Sequence, residues 1–467
     1  MRYVSTRGAA ATLGFEEVLL AGLARDGGLY VPETWPSFDA AALRRMAGLS
    51  YRELALAVMT PFLGDAIAPD AAARLIDQAY DGFAHRAVVP LKQLDHGLWL
   101  LELFHGPTLA FKDVALQVVG RLFDHVLTRR GRRITIVGAT SGDTGSAAIE
   151  ACRDRAAIDI FMLHPKGRVS EVQRRQMTTV MAANVHNIAI EGSFDDCQDL
   201  VKAMFADAAF RDELSLSAVN SINWARVMAQ TVYYFAAALA LGAPERPVAF
   251  AVPTGNFGNV YAGYAARRMG LPVARLHVGA NRNDILARCL AADDMSMAPV
   301  EPSLSPSMDI QVSSNFERLL FDLHDRDGAA VAAAMAAFRQ TGRLPLGEAR
   351  WRRATALFAG YRVGDDETLA VMRAVYRATG ELVDPHSAIG IAAGWDRKPV
   401  DETPLVALAT AHPAKFPDAV ERATGVRPAL PPALSDLLTR PERCIVLPND
   451  LAAVQAHVRG RRLKGAA

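Results

Sequence analysis

The chain has 467 residues, 51% of them hydrophobic, and a formal net charge of +1. That length exceeds what one ordinary core holds and predicts two or three domains. Basic and acidic residues are interspersed with no sustained basic block, which excludes nucleic-acid binding through a charged surface.

The N-terminus reads as lacking a signal peptide. Its apolar run, 18–24, is short and flanked by Glu16-Glu17 and Arg25-Asp26, as suits an amphipathic helix. Gly27-Gly28 stops this helix, Leu29 to Pro32 forms a short extended exit, and two further helical stretches follow near 39–63 and 69–84. Residues 1–85 are therefore expected to form an N-terminal helical domain.

From about residue 98, short β-rich runs alternate with helical patterns. The runs lie at 134–137, 158–163, 185–190, 248–252, 273–278 and 405–409, with helical stretches such as 146–153, 171–183 and 223–241 between them. Such alternation predicts an α/β fold whose mostly parallel sheets are covered on both faces, with ligands at the C-terminal strand ends. The catalytic core is placed at 86–430. The apolar stretch 227–241 is too short and is interrupted by Gln230, so it reads as a buried helix and not as a membrane span. Segment 295–375 is richer in Ala-rich helix, with a loop marked by Pro299, Pro302 and Pro306, and 431–467 reads as an accessory segment. Four cysteines, Cys152, Cys197, Cys289 and Cys444, are widely spaced, with no C-x-x-C pair and no nearby His cluster. Neither a disulfide framework nor a metal site is expected, and reduced thiols suit the cytoplasm.

Two strand ends carry glycine-rich turns. The run 134–137 leads into Gly138-Ala139-Thr140-Ser141-Gly142-Asp143-Thr144-Gly145, and 248–252 into Pro253-Thr254-Gly255-Asn256-Phe257-Gly258-Asn259. Glycine lets the backbone approach a ligand, and the following helix N-terminus offers free N–H groups to an anion. Either turn alone reads equally well as a plain strand-to-helix connection. Neither matches the nucleoside-triphosphate or dinucleotide fingerprint, so the pair suits a phosphorylated cofactor and an anionic substrate. Between Gly106-Pro107-Thr108 and an apolar helix stands Lys112. A desolvated lysine, its pKa lowered from about 10.4, could form a Schiff base with an aldehyde cofactor; a solvated surface lysine is the competing reading.

Taken together, these motifs resemble those of the threonine synthases, a family of fold type II pyridoxal-phosphate enzymes, in the longer bacterial and fungal branch. The resemblance rests on Met1 to Gly8, Asp26 to Pro32, Gly106 to Asp113, Ser141 to Gly145, Asn220 to Arg226, Pro253 to Asn259, Asp384 to Ser387 and Thr410 to Phe416, in order along the chain. It implies two open, mostly parallel α/β domains beside the N-terminal one, and pyridoxal 5'-phosphate as cofactor. Lys112 is implied as the Schiff-base lysine, with Gly255, Asn256, Phe257, Gly258 and Asn259 at the cofactor phosphate and Thr410 at the pyridine nitrogen. Ser141, Asp143 and Thr144 would face the amino-acid end of the substrate, and Asn220, Ser221 and Arg226 its phosphate. Related enzymes often carry Asn where Asp143 stands, so the part played by this carboxylate stays open, as do those of His105, His386 and His412.

The implied reaction is conversion of O-phospho-L-homoserine and water to L-threonine and phosphate by β,γ-elimination and replacement, in a cytoplasmic enzyme that is a monomer or, alternatively, a homodimer. No nucleic-acid or membrane partner is expected. Two rivals stand beside it: another fold type II lyase, such as a serine or threonine dehydratase or a cysteine synthase, and a non-catalytic homologue that binds a phosphorylated ligand. Plain alternatives also remain for individual residues, such as a surface ion pair for Arg226, a strand-end hydroxyl for Thr410, and turn or cap positions for Asn256 and Asn259.

Overall fold

Val248–Pro253, Leu405–Ala409 and Ile158–Pro165 are buried along their whole length, as expected of strands with both faces covered. They are central strands of two separate sheets in the computed structural model, which describes residues 1–218, 221–395 and 403–462. The chain divides into two compact units. One comprises Met1–Leu19, Leu23–Phe111 and Ser221–Pro428; the other comprises Leu20–Gly22, Lys112–Asn220 and Ala429–Ala467.

In chain order the strands are β1 (Tyr3–Ser5), β2 (Tyr30–Pro32), β3 (Leu91–Asp95), β4 (Leu98–Glu102), β5 (Ile134–Ala139), β6 (Ile158–Pro165), β7 (Val185–Glu191), β8 (Leu216–Ser217), β9 (Val248–Pro253), β10 (Val273–Ala280), β11 (Phe358–Arg362), β12 (Leu405–Ala409) and β13 (Ile445–Pro448). The first unit holds a six-stranded sheet of order β11-β10-β9-β12-β4-β3. It is parallel except for β3, which pairs antiparallel with β4. The second unit holds an all-parallel sheet of order β13-β7-β6-β5-β8. The six expected strands are all present, and the α/β class with mostly parallel sheets is confirmed. The N-terminal region contains helices at Phe15–Ala21, Ala40–Met46, Tyr51–Leu63 and Pro69–Tyr80, together with an antiparallel β1–β2 pair. Segment 445–448 supplies an edge strand to the second sheet.

β9, β12 and β4 are parallel neighbours, so their C-terminal ends lie side by side in the first sheet. The helix Pro385–Trp395 packs across β9, β10 and β12. It comes close because Gly390 and Gly394, one turn apart, lack a Cβ: one at Gly390 would lie 2.8 Å from Pro253 Cδ, and one at Gly394 2.4 Å from Leu405 Cδ2. Among the described residues no helix is long and apolar enough to cross a membrane. Cys152, Cys197 and Cys289 are buried free thiols, and Cys444 is an exposed one.

Candidate active site

In the second unit, Lys112 is the first residue of the 18-residue helix Lys112–Arg129 and is buried. Its amine lies 3.4 Å from Asp143 Oδ2. Asp143, also buried, opens the helix Asp143–Cys152. Its other oxygen accepts from Gln173 Nε2 at 2.8 Å. The carboxylate whose role was open thus faces the lysine amine and is fixed from behind by a glutamine that the sequence did not single out. The turn before it is held by Thr140 Oγ1, which accepts from both Gly142 N and Gly145 N at 2.9 Å. Gly142 has φ +138°, and a Cβ there would lie 2.5 Å from Gln173 Cδ, so glycine is required for the turn and for the approach of Gln173 alike. Ser141 and Thr144 flank Asp143 and are half-buried.

In the first unit, β9 runs into Thr254-Gly255-Asn256-Phe257, and the helix Gly258–Arg268 follows. Phe257 takes a left-handed φ of +60° and sends its ring into the core against Phe316 and Phe358. It therefore contributes backbone to the loop and anchors it. The loop's carbonyls are engaged: Ser313 Oγ donates to Gly255 O (2.7 Å), while Asn315 N and Nδ2 donate to Asn256 O (3.1 and 3.0 Å). Among the described residues the N–H groups of Gly255, Asn256, Phe257 and Gly258 have no protein acceptor. A Cβ on Gly255 would meet Ser307 O at 3.1 Å and Met308 Cα at 3.2 Å, so the loop lies closely against that segment. Free N–H groups at a helix start, with their carbonyls turned away, suit a phosphate.

Asn259 is buried and is tied to the neighbouring helix Trp224–Ala240. Its Oδ1 accepts from Tyr233 Oη (2.5 Å) and Tyr234 Oη (3.0 Å), while its Nδ2 is buried without a partner. On the first turn of that helix, Arg226 is buried with Nε and Nη1 unpartnered. Burial pulls its pKa down to about 10, against a smaller opposing effect of Tyr233. The surface ion-pair reading of Arg226 is excluded: it has no carboxylate partner among the described residues. Ser221 is half-buried, and Asn220 lies outside the described residues.

Thr410, buried, follows directly on β12. A short antiparallel bridge, Ala110 to Ala411, runs alongside it: Phe111 N donates to Thr410 O (2.8 Å) and His412 N to Leu109 O (3.0 Å). Leu109 adopts a left-handed φ of +62°, and the fully buried Lys415 donates from Nζ to Thr108 O (2.7 Å). Nearby, Glu102 accepts from His105 Nε2 (2.7 Å), and burial, with His105 adding to it, pushes His412 down to about 4.

Three family models match the chain: "Threonine synthase N terminus" over residues 2–80, "Pyridoxal-phosphate dependent enzyme" over 84–408 and "Threonine synthase, C-terminal" over 387–458. The chain belongs to the threonine synthase family. A threonine synthase of Pseudomonas aeruginosa is 59% identical over 459 residues, covering 98% of each chain. The crystal structure of a PLP-bound threonine synthase from Brucella melitensis superposes with a TM-score of 0.97 at 55% identity, over 99% of both chains. That of Escherichia coli threonine synthase gives 0.83 at 30% identity, over 99% of this chain and 100% of the other. The chain is thus a pyridoxal-phosphate-dependent enzyme of fold type II. Its residues fit the cofactor: a buried lysine opening a helix, and a phosphate-suited loop whose amides are free.

Proposed function

We propose that the chain converts O-phospho-L-homoserine and water to L-threonine and phosphate in the cytoplasm, acting as a monomer. Arg226 carries the reading. Among the described residues no carboxylate partners this buried guanidinium, a costly state unless an anion completes it, and a phosphorylated substrate supplies that anion. Substrates of the dehydratases and cysteine synthases carry no phosphate and would leave Arg226 uncompensated.

Lys112 would hold the cofactor, the amides of Gly255 to Asn259 its phosphate, and Thr410 the ring nitrogen. Bound pyridoxal phosphate supplies an aldehyde that condenses with amines and a ring that accepts electrons. Thr410 presents a hydroxyl and no carboxylate, so nothing in that residue would force a proton onto the ring nitrogen. The free Lys112 amine would take the substrate α-proton and then assist at the β-carbon. Asp143 Oδ2, 3.4 Å from Lys112 Nζ, would balance the ammonium formed. Ser141 and Thr144, at the start of the helix Asp143–Cys152, would take the substrate carboxylate. Arg226, with Ser221 and Asn220, would bind the phosphate and stabilise its departure from the γ-carbon.

The test feeds O-phosphohomoserine and serine separately to the purified protein. Phosphate and threonine from the first are expected, and pyruvate from serine alone would overturn the assignment. Lys112→Ala is expected to lose the visible absorbance of the lysine-bound cofactor, at about 410–430 nm, together with turnover. A variant that keeps the band would assign that role to another lysine.

A further inference from the structure

The segment Asp384-Pro385-His386-Ser387 has no part in the chemistry above, yet it holds a dense buried network. Asp384 Oδ2 accepts from His386 N (3.0 Å) and His386 Nδ1 (2.7 Å). Its Oδ1 accepts from Ser387 N (3.0 Å) and from Ser387 Oγ. Asp384 and Ser387 are fully buried, and His386 nearly so. With four donors around it the carboxylate serves only as acceptor, which sets its neighbours: the His386 proton sits on Nδ1, and the Ser387 hydroxyl proton points at Asp384.

Each of these two side chains then has an acceptor left on its far side. Ser387 Oγ accepts from Thr410 N at 3.1 Å, just beyond the end of β12. His386 Nε2 lies 3.4 Å from Ser307 N, which can only donate. Ser307 and Met308 are the residues against which Gly255 packs, 3.1 and 3.2 Å from where its Cβ would stand. One carboxylate therefore has two outputs. One ends on the backbone of Thr410, and the other on the wall behind the glycine loop.

We infer that Asp384, His386 and Ser387 form a positioning unit that sets Thr410 and the Gly255 to Asn259 loop at the separation required by the ring nitrogen and the phosphate of one cofactor. The inference rests on the cofactor reading above. The distance between those two ends of pyridoxal phosphate is fixed by its covalent structure, so the protein must hold both strand ends in register. A helix N-terminus bonded to both does so, and its two branches can be cut separately. Ser387→Ala removes the Thr410 branch. His386→Asn keeps an N–H donor for Asp384 but is too short to reach Ser307.

In Ser387→Ala holoenzyme the visible band of the lysine-bound cofactor is expected to move or lose intensity and kcat to fall roughly tenfold, with Ser387→Thr restoring both. In His386→Asn the band should keep its position, while the affinity for pyridoxal phosphate titrated onto the cofactor-free protein weakens by roughly tenfold. If Ser387→Ala does not fold, Ser387→Cys preserves the volume while giving up most of the hydrogen bond, and reads the same branch. Two variants with wild-type spectrum and affinity overturn the inference. So do two variants that move both readouts together in proportion to lost thermal stability, which would make the unit a helix cap alone. A wild-type protein that takes up no pyridoxal phosphate overturns the cofactor reading itself.

Discussion

Arg226→Met should weaken catalysis and strengthen the fold at the same time. The guanidinium is buried, two of its nitrogens have no partner among the described residues, and burial has already drawn its pKa down to about 10. Each unpaired buried donor costs about 1–3 kcal/mol, and replacing a poorly compensated buried charge by an apolar chain of similar length is neutral or stabilising by about 1–4 kcal/mol. Met also suits a helix interior. Denaturant unfolding of the ligand-free variant should therefore show a midpoint equal to or above that of the wild type, with an unchanged slope. Added inorganic phosphate should raise the wild-type midpoint by binding the native state and leave the variant unmoved. With O-phosphohomoserine, loss of a bidentate charge-assisted contact predicts a fall in kcat/KM of about 10²- to 10³-fold. The sign on stability is the critical part. A variant clearly less stable than wild type, or one still stabilised by phosphate, would mean that Arg226 serves the fold and that the anion site lies elsewhere. The pH dependence has a fixed sign as well. With the folded pKa near 10 and the unfolded one higher, the burden of this charge is constant below about pH 10 and fades only as pH rises above that value.

His412 gives a prediction in acid. Its folded pKa, about 4, lies below the ordinary imidazole value of about 6.5, so the unfolded chain binds more protons between those values and stability falls as pH drops through that window. His412→Asn keeps an acceptor for the Ala414 N–H, which His412 Nδ1 accepts at 3.1 Å, and removes the titration. Urea midpoints between about pH 4 and 6.5 should therefore decline less steeply than in the wild type, and an equally steep decline refutes the assignment. Two helical glycines should respond in opposite directions to alanine. A Cβ on Gly120 would lie 2.4 Å from the backbone oxygen of Ala151, so Gly120→Ala is expected to destabilise by about 1–3 kcal/mol in a thermal melt despite better helix propensity. Gly460 has open space, and Gly460→Ala should stabilise by about 0.5–1 kcal/mol; a loss there would show that the helix end needs glycine.

The sequence by itself determined the strands whose residues are mostly apolar, the turns that follow them, and the residue types able to handle an anion. Those properties are local: β6, β9 and β12 read as strands because both of their faces must be buried, and Gly142 is required by its own backbone angle. Strands with mixed or half-exposed sequences, such as Leu91–Asp95, Phe358–Arg362 and Ile445–Pro448, were not legible, because at sheet edges pairing depends on a neighbour distant in sequence. Only the tertiary structure set β4, β9 and β12 side by side, turned Asp143 between Lys112 and Gln173, and left Arg226 buried without an acid among the described residues. It alone joined Ser387 to Thr410 and Lys415 to Thr108, the latter 307 residues away. Hydrogen bonds of that span leave no periodicity in the chain; they exist because buried polar groups must find partners, and packing decides which ones lie within reach.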